Sequence, residues 1–332
     1  MDPISQGALG AALSASAARR DHAGAALGLG ALSGMAADLD ALIRSDADPL
    51  LFLEYHRHFT HALAFIPLGA LVCAAALHLA SKRRLRFLET YLFCLLGYAT
   101  HGLLDACTSY GTALLWPFSE ERIAWNFISV VDPLLTLPVL GLLLVAWRYR
   151  RPRYAQLALV WVAVYLSIGA VQRFRAEDAG FSLAESRGHA PERLTVKPAF
   201  GNVVLWKTIY GHDGWYHVDA VRLGLDARHT PGERVQRLDL ARDVPWLRPD
   251  SRQARDVERF RRFSDDYLSL ADGDPSAVVD IRYSMVPNEI DALWGIRLDP
   301  AAADRHVEFF TSREVTPARR RALLDLLLAP AD

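Results

Sequence analysis

Long stretches without charge constrain this chain more than any other feature. A helix that crosses a bilayer needs about 20 mostly apolar residues. Four windows of that length meet this condition, at residues 62–81, 85–104, 127–147 and 154–172. Two shorter stretches, 4–18 and 22–37, are rich in small residues and predict two further close-packed helices. No basic residue precedes Ile4, so we do not expect a cleaved signal peptide.

Charge divides the chain into two parts. Residues 1–172 carry 25 charged side chains, whereas the 160 residues that follow carry 50. We therefore predict an α-helical polytopic membrane domain over residues 1–175, followed by a soluble α+β domain over 176–332. Across all 332 residues, 37 Lys and Arg balance 38 Asp and Glu, so no net charge favours a nucleic-acid partner. Three cysteines, Cys73, Cys94 and Cys107, are too few for a disulfide framework and are expected to be packing residues.

Basic residues near the span ends predict the orientation. Three short loops hold ten of them: Arg19, Arg20, Lys82, Arg83, Arg84, Arg86, Arg148, Arg150, Arg151 and Arg153. The positive-inside rule places these loops in the cytoplasm. We therefore expect a multi-pass protein of the cell inner membrane whose C-terminal domain is extracytoplasmic.

The C-terminal part has the pattern of an α+β domain. Alternating, β-branched and aromatic segments predict strands at 194–196, 203–210, 216–223, 235–240, 277–285, 294–298 and 307–311. Helical spacing occurs at 252–270 and 317–328, and Gly211-His212-Asp213-Gly214 predicts a hairpin turn. The sequence there contains no Gly-rich phosphate loop and no nucleophile elbow, so it indicates no chemistry for this domain.

Ionisable residues cluster at the predicted outer ends of the spans, where the alternation of crossings puts them on one side. They are Asp38, Asp40, His56, His58, His61, His101, Asp105 and Asp132. His101 and Asp105 are four apart on a predicted helix and so share one face. Such groups are costly near a bilayer and indicate a functional site.

The residue types favour a divalent metal. Nitrogen and oxygen ligands without thiolate suit Zn, Mn or Fe. We expect Asp38, Asp40, His56, His61, His101 and Asp105 to hold one or two ions, with Asp38 as a ligand or a bridge. Each of these sequence segments also has a simpler interpretation without a metal. His101 and Asp105 could be a hydrogen-bonded pair, the three histidines at 56–61 an interfacial loop, and Asp132 with Pro133 an ordinary helix start.

Three elements in this order resemble a known family. They are the helix end Asp38-Leu39-Asp40, the block His56-Arg57-x-x-Thr60-His61, and the run His101-x-x-x-Asp105-x-x-Thr108-x-x-Gly111 that continues to Leu114-Leu115-Trp116-Pro117-Phe118. Together they resemble the YdjM-like inner-membrane metal-dependent hydrolases, described as LexA-regulated in their namesake. The resemblance covers about residues 1–140 and implies a multi-span metal-dependent hydrolase. Family members often carry a histidine where this chain has Gln6, so Gln6 is expected to hydrogen-bond a ligand or water instead.

The candidate metal ligands and the family resemblance both indicate a hydrolase mechanism. A metal ion lowers the pKa of bound water towards about 7. Asp38 or Asp132 could accept its proton, and Arg57 could stabilise the developing charge, unless Arg57 is only an interfacial cation. A site level with lipid headgroups suggests an ester or phosphodiester of a membrane lipid or lipid-linked substrate.

Two other functions compete with the hydrolase. One is a membrane scaffold or sensor with a structural metal site. The other, a metal transporter, would need acids or histidines at mid-membrane depth. It is disfavoured because, apart from His78 and Glu89 towards the basic ends, the spans show none at that depth.

Overall fold

The computed structural model describes residues 1–81, 85–312 and 314–328, so Lys82, Arg83 and Arg84 of one predicted cytoplasmic loop lie outside the described residues. The α-helices there are α1 (Pro3–Ser16), α2 (Ala23–Met35), α3 (Leu51–Tyr55), α4 (Ile66–Ser81), α5 (Phe87–Ala106), α6 (Pro133–Tyr149), α7 (Pro152–Ser186), α8 (Leu240–Asp243), α9 (Arg252–Phe263) and α10 (Pro317–Leu328). The strands are β1 (Arg193–Pro198), β2 (Leu205–His212), β3 (Trp215–Leu223), β4 (Ala227–Thr230), β5 (Arg234–Gln236), β6 (Leu268–Ala271), β7 (Asp274–Asp280), β8 (Trp294–Arg297) and β9 (Glu308–Thr311). A helical region followed by antiparallel sheets confirms the predicted fold class.

The chain forms two compact units. The first contains Met1–Ile43, Tyr55–Val171 and Phe200–Val203, and the second contains Arg44–Glu54, Gln172–Ala199 and Val204–Asp332. Helix α7 is continuous through residue 175, where the sequence predicted the domain boundary. The roles assigned to the two parts stay predictions.

Three helical stretches among the described residues are long and apolar enough to cross a membrane. They are Arg20–Leu42, Leu63–Ser81 and Pro152–Ser186, and the apolar helix α6 is shorter. Helix α5, which the sequence predicted as a span, and α1, which it predicted as a short close-packed helix, both form but are not among the three.

The predicted span at 127–147 begins six residues late. Helix α6 begins at Pro133 because the Asp132 carboxylate accepts hydrogen bonds from the backbone N–H groups of Leu134 and Leu135. An aspartate cap followed by proline is a favoured helix start. The simpler alternative for Asp132 is therefore the one that the structure shows.

Close helix contacts in the first unit depend on glycine. At Gly30 of α2, a Cβ atom would overlap the Gly10 carbonyl oxygen of α1 and the Ser14 side chain. At Gly97 of α5, a Cβ atom would overlap the Gly30 carbonyl oxygen and Ser33 Oγ. Small residues permit such backbone approach between membrane helices. This packing brings the C-terminal end of α2 beside α5, the helix that carries His101 and Asp105.

The second unit has two antiparallel sheets. One has the order β1-β2-β3-β4 with β5 paired to β3, and the other has the order β6-β7-β8-β9. Ile209, Val218 and Val279 come from both sheets and share one buried core. The predicted hairpin turn joins β2 to β3, with Asp213 and Gly214 at positive φ.

Several predicted boundaries in the second unit were wrong. Helix α9 ends at Phe263 rather than at residue 270, because Asp265 and Asp266 adopt positive φ and β6 begins at Leu268. Strand β7 ends at Asp280 instead of residue 285, and α8 begins at Leu240. Strand β4 was missed because it is short, polar and not buried.

A matched pair of substitutions on α2 tests the glycine contacts. Gly30→Ala should destabilise the first unit by about 1–3 kcal/mol, the usual cost of overpacking. Gly28→Ala meets open space on the same helix and should leave stability unchanged or raised by about 1 kcal/mol through helix propensity. The measurement is the temperature at which the buried thiols of Cys94 and Cys107 become reactive to a dye in detergent. Equal transition temperatures for the two variants would contradict the packing described.

Candidate metal centre

Four side chains from three segments meet in the first unit. Asp38 lies in the 3-10 helix Ala36–Leu42 after α2, His61 lies in the 3-10 helix Phe59–His61, and His101 and Asp105 lie on α5. Each offers one ligand atom, and these atoms lie within 4.8 Å of one another. His61, His101 and Asp105 have buried side chains, whereas that of Asp38 is 20% exposed. We call these four residues the primary cluster.

The distances within the primary cluster suit a tetrahedral ion. The Nε2 atoms of His61 and His101 are 2.9 Å apart. Asp38 Oδ1 lies 3.5 Å from the first and 3.4 Å from the second, and Asp105 Oδ2 lies 3.1 and 3.6 Å from them. Tetrahedral zinc with bonds of about 2.0–2.1 Å has ligand atoms about 3.3 Å apart. The measured edges bracket that value.

Contacts outside the cluster orient both imidazoles. His101 Nδ1 lies 2.5 Å from the carbonyl oxygen of Gly34, which can only accept, so Nδ1 carries the proton. His61 Nδ1 lies 3.2 Å from Asp40 Oδ2, which likewise favours a proton on Nδ1. With a proton on each Nδ1, both Nε2 atoms face the centre, where each can hold either a proton or a metal ion. Histidine ligands of metals are held by such partners on their other nitrogen.

The cluster attracts positive charge. Asp105 Oδ2 is buried and has no hydrogen-bond partner among the described residues, although His61 Nε2 and Arg57 Nε lie within 3.2 Å. Burial lowers the pKa of His61, but the carboxylates of Asp105, Asp38 and Asp40 outweigh it and raise that pKa to about 10. Converging imidazole nitrogens and an unsatisfied buried carboxylate oxygen therefore fit a bound cation.

Asp38 belongs to a second group with Asp40 and His56, whose ligand atoms also lie within 4.8 Å of one another. His56 Nδ1 is 2.9 Å from Asp40 Oδ1. Asp40 Oδ2 accepts hydrogen bonds from the Arg57 backbone N–H at 3.0 Å and from Thr60 Oγ1 at 2.7 Å. Asp40 thus fixes the segment 56–61 against the end of α2, and Asp38 is placed where it could join two ions.

Arg57 is a buried part of the site rather than an interfacial cation. Its side chain is 4% exposed, and its Nε lies 3.2 Å from Asp105 Oδ2. A terminal N–H donates to Thr108 Oγ1 at 2.8 Å, and the guanidinium lies over the Tyr110 ring at 4.8 Å. The position therefore contradicts the snorkelling alternative.

Gln6 takes the role expected for it. Its Nε2 donates to Asp105 Oδ1 at 2.9 Å and to the His101 carbonyl oxygen at 3.3 Å. The amino group of Met1 also contacts Asp105 Oδ1. Gln6 thus holds the carboxylate so that Oδ2 faces the imidazoles.

Asp132, a predicted catalytic residue, and His58, which the sequence places near the candidate ligands, make other contacts. The Asp132 carboxylate accepts hydrogen bonds from Tyr165 Oη at 2.9 and 3.0 Å besides capping α6, and it belongs to neither group. His58 packs its ring against Tyr55 and Trp116 and belongs to neither group.

Two parts of the site escaped sequence reasoning. The Gly34 carbonyl that orients His101 is backbone and leaves no side-chain signal. Gly102 lets the His61 segment approach α5, because a Cβ atom there would overlap the His61 carbonyl oxygen. A glycine directly after a candidate ligand was the signal available.

Comparison with known proteins finds relatives of part of the chain. The chain is 26% identical over 133 residues to the uncharacterized protein YfhP of Bacillus subtilis, covering 40% of each chain. It is 35% identical over 81 residues to the inner membrane protein YbcI of Escherichia coli, covering 23% of this chain and 44% of the relative. The chain thus matches less than half the length of either relative. No solved structure matches.

A family model described as YdjM inner membrane protein matches residues 1–176, which is more than half of the chain and includes every residue of the primary cluster. The resemblance inferred from the three sequence elements is confirmed. The chain belongs to the YdjM inner membrane protein family.

Proposed function

We propose that this protein is a membrane-bound metal-dependent hydrolase. The observation that carries the proposal is the convergence of the His61 and His101 Nε2 atoms with carboxylate oxygens of Asp38 and Asp105. These four residues would hold a divalent ion such as Zn, Mn or Fe. Asp40 and His56 would support them, or complete a second site with Asp38.

The chemistry assigned to the chain follows from exposure and charge. A bound divalent ion supplies a coordinated water whose pKa falls towards about 7. Asp38 is the most exposed member of the cluster, and its Oδ1 faces both imidazoles, so we assign to its other carboxylate oxygen the acceptance of the water proton. Arg57, beside Asp105, would stabilise negative charge that develops on the substrate oxygen. Asp132 is assigned to the cap of α6 rather than to catalysis.

Exposed apolar residues support a lipid substrate. Leu39 lies between Asp38 and Asp40 and is 65% exposed, and Leu42 is 78% exposed. Phe118, at the end of the third family element, is 89% exposed. Side chains of this kind on the segments that bear ligands suit the acyl chains of a membrane lipid or lipid-linked ester or phosphodiester. The positive-inside pattern supports placing this site and the C-terminal domain on the outer face of the inner membrane.

One observation favours the non-enzymatic alternative of a structural metal site. Three of the four ligand side chains are fully buried, and four protein ligands can fill a tetrahedral zinc site. A catalytic site keeps a position open for water. Exchange of metal-bound water with solvent therefore distinguishes the hydrolase from a scaffold or sensor.

The metal content of purified protein tests the cluster. Wild-type protein should retain at least one divalent ion per chain after dialysis. His101→Ala should lose most of it, because the change removes one of the four ligands. His58→Ala is the matched control, since His58 lies between His56 and His61 in the sequence but belongs to neither group. By elemental analysis, this variant should keep the wild-type metal content. Equal metal in wild type and His101→Ala would remove His101 from the site.

Hydrolysis of a phospholipid panel tests the activity. Wild-type protein with Mn or Zn should release a product from at least one lipid, and Asp38→Asn should lower kcat about 10²- to 10⁴-fold, as expected for loss of a general base. Asp132→Asn should stay within about twofold of wild type, because asparagine also caps helices well. Release of nothing from any lipid, with or without metal, would contradict the proposed activity, and an inactive Asp132→Asn would return Asp132 to catalysis.

A further inference from the structure

The two ligand segments before α4 are joined by a loop that belongs to the second unit. Residues Arg44–Glu54 cluster with the second unit, although the chain on both sides of them belongs to the first. In sequence, the loop lies between Asp40 and His56, and only Tyr55 separates its last residue from His56. A displacement of this loop would therefore move both ligand segments, Asp38–Asp40 and His56–His61, because the chain joins them to it.

Arg259 of α9 holds the loop. Its two terminal nitrogens donate to the Asp48 oxygens at 3.0 and 2.9 Å, and its Nε donates to Glu54 Oε1 at 2.5 Å. It also donates to Asp256 Oδ1 at 2.9 Å, and Asp256 is buried. Two-point guanidinium–carboxylate contacts fix geometry as well as adding energy. Arg259 thus holds the loop at two points, which are Asp48 and Glu54 near the end of α3.

The loop has an internal hydrogen bond and two buried leucines. Asp48 Oδ1 accepts the Leu50 backbone N–H at 3.1 Å, and Leu50 and Leu53 are 1% and 4% exposed. The base of the loop is closed by Asp40, which binds His56 and the Arg57 backbone. Asp40 holds the base of this short loop and Arg259 holds its middle. A shift of Asp48 would therefore move the ligand segments at both ends of the loop.

We propose that Arg259 is a positioning residue for the metal centre, acting through the loop Arg44–Glu54. By holding Asp48 and Glu54, it sets the placement of Asp38 and Asp40 relative to His56 and His61. The inference rests on the proposed metal site and gives the C-terminal part of the chain a task, which is to set the metal affinity of the first unit. A change in α9 would then change how tightly the cation is held.

Metal affinity in a double-mutant cycle tests this. Zinc binding by the full chain in detergent is measured by competition with a chelating dye for wild type, Arg259→Ala, Asp48→Asn and the double variant. Each single variant should weaken binding about five- to tenfold, the low end for coupled sites. The double variant should be no weaker than the weaker single variant, because both changes break one contact. Asp48→Asn keeps the acceptor for Leu50, so it carries the test if Arg259→Ala does not fold.

Arg248→Ala is the matched control. Arg248 pairs with Asp304 in the same unit at 2.8 Å, and among the described residues it forms no hydrogen bond or ion pair with the loop. It should bind zinc like wild type. Unchanged affinity in Arg259→Ala and Asp48→Asn, additive losses in the double variant, or an equal loss in Arg248→Ala would overturn the inference. Wild-type protein that binds no metal would overturn the metal centre itself and this inference with it.

Discussion

The first unit depends on one electrostatic constraint, which is how to bring two buried imidazoles, the buried Asp105 carboxylate and the half-buried Asp38 carboxylate together. His61 and His101 approach within 2.9 Å with both Nδ1 atoms committed elsewhere. Buried charges of like sign are tolerated only when a counter-charge joins them. Arg57 and the Met1 amino group contact Asp105, and a divalent cation would supply the remaining positive charge.

The surrounding elements make this convergence possible. Helix α5 brings His101 and Asp105 together by i, i+4 spacing, and Gly102 admits the His61 segment against the helix. The packing of α2 on α5 through Gly30 and Gly97 places the Gly34 carbonyl beside His101. The same small residues that let helices pack in a membrane thus orient a ligand.

The sequence predicted the ligand residues better than their arrangement. The spacing of His101 and Asp105 and the carboxylates at 38 and 40 are local patterns, so a single sequence reveals them. Which carboxylate oxygen faces which imidazole depends on the Gly34 carbonyl and on Gln6, which are tertiary contacts without a sequence period. Asp132 caps α6 in the structure, and the catalytic role predicted for it stays a prediction, because a capping aspartate and a catalytic one look alike in sequence.

The sequence likewise predicted where the apolar helices lie better than where they begin and end. Apolar length located Leu63–Ser81 and the apolar part of α7, but hydropathy did not predict that α7 continues to Ser186 or that α6 starts at Pro133. In the second unit, strand patterns located most of both sheets, while the end of α9 was set by the positive φ of Asp265 and Asp266. Local backbone conformation decided the boundaries where composition was neutral.

X-ray absorption spectroscopy of the zinc-loaded protein tests the central claim most directly. We expect the zinc ion to have only nitrogen and oxygen neighbours at about 2.0–2.2 Å, with the outer scattering of two imidazole rings. In His61→Ala the contribution of one ring should disappear. Sulfur neighbours at about 2.3 Å, or a spectrum without imidazole scattering, would contradict it.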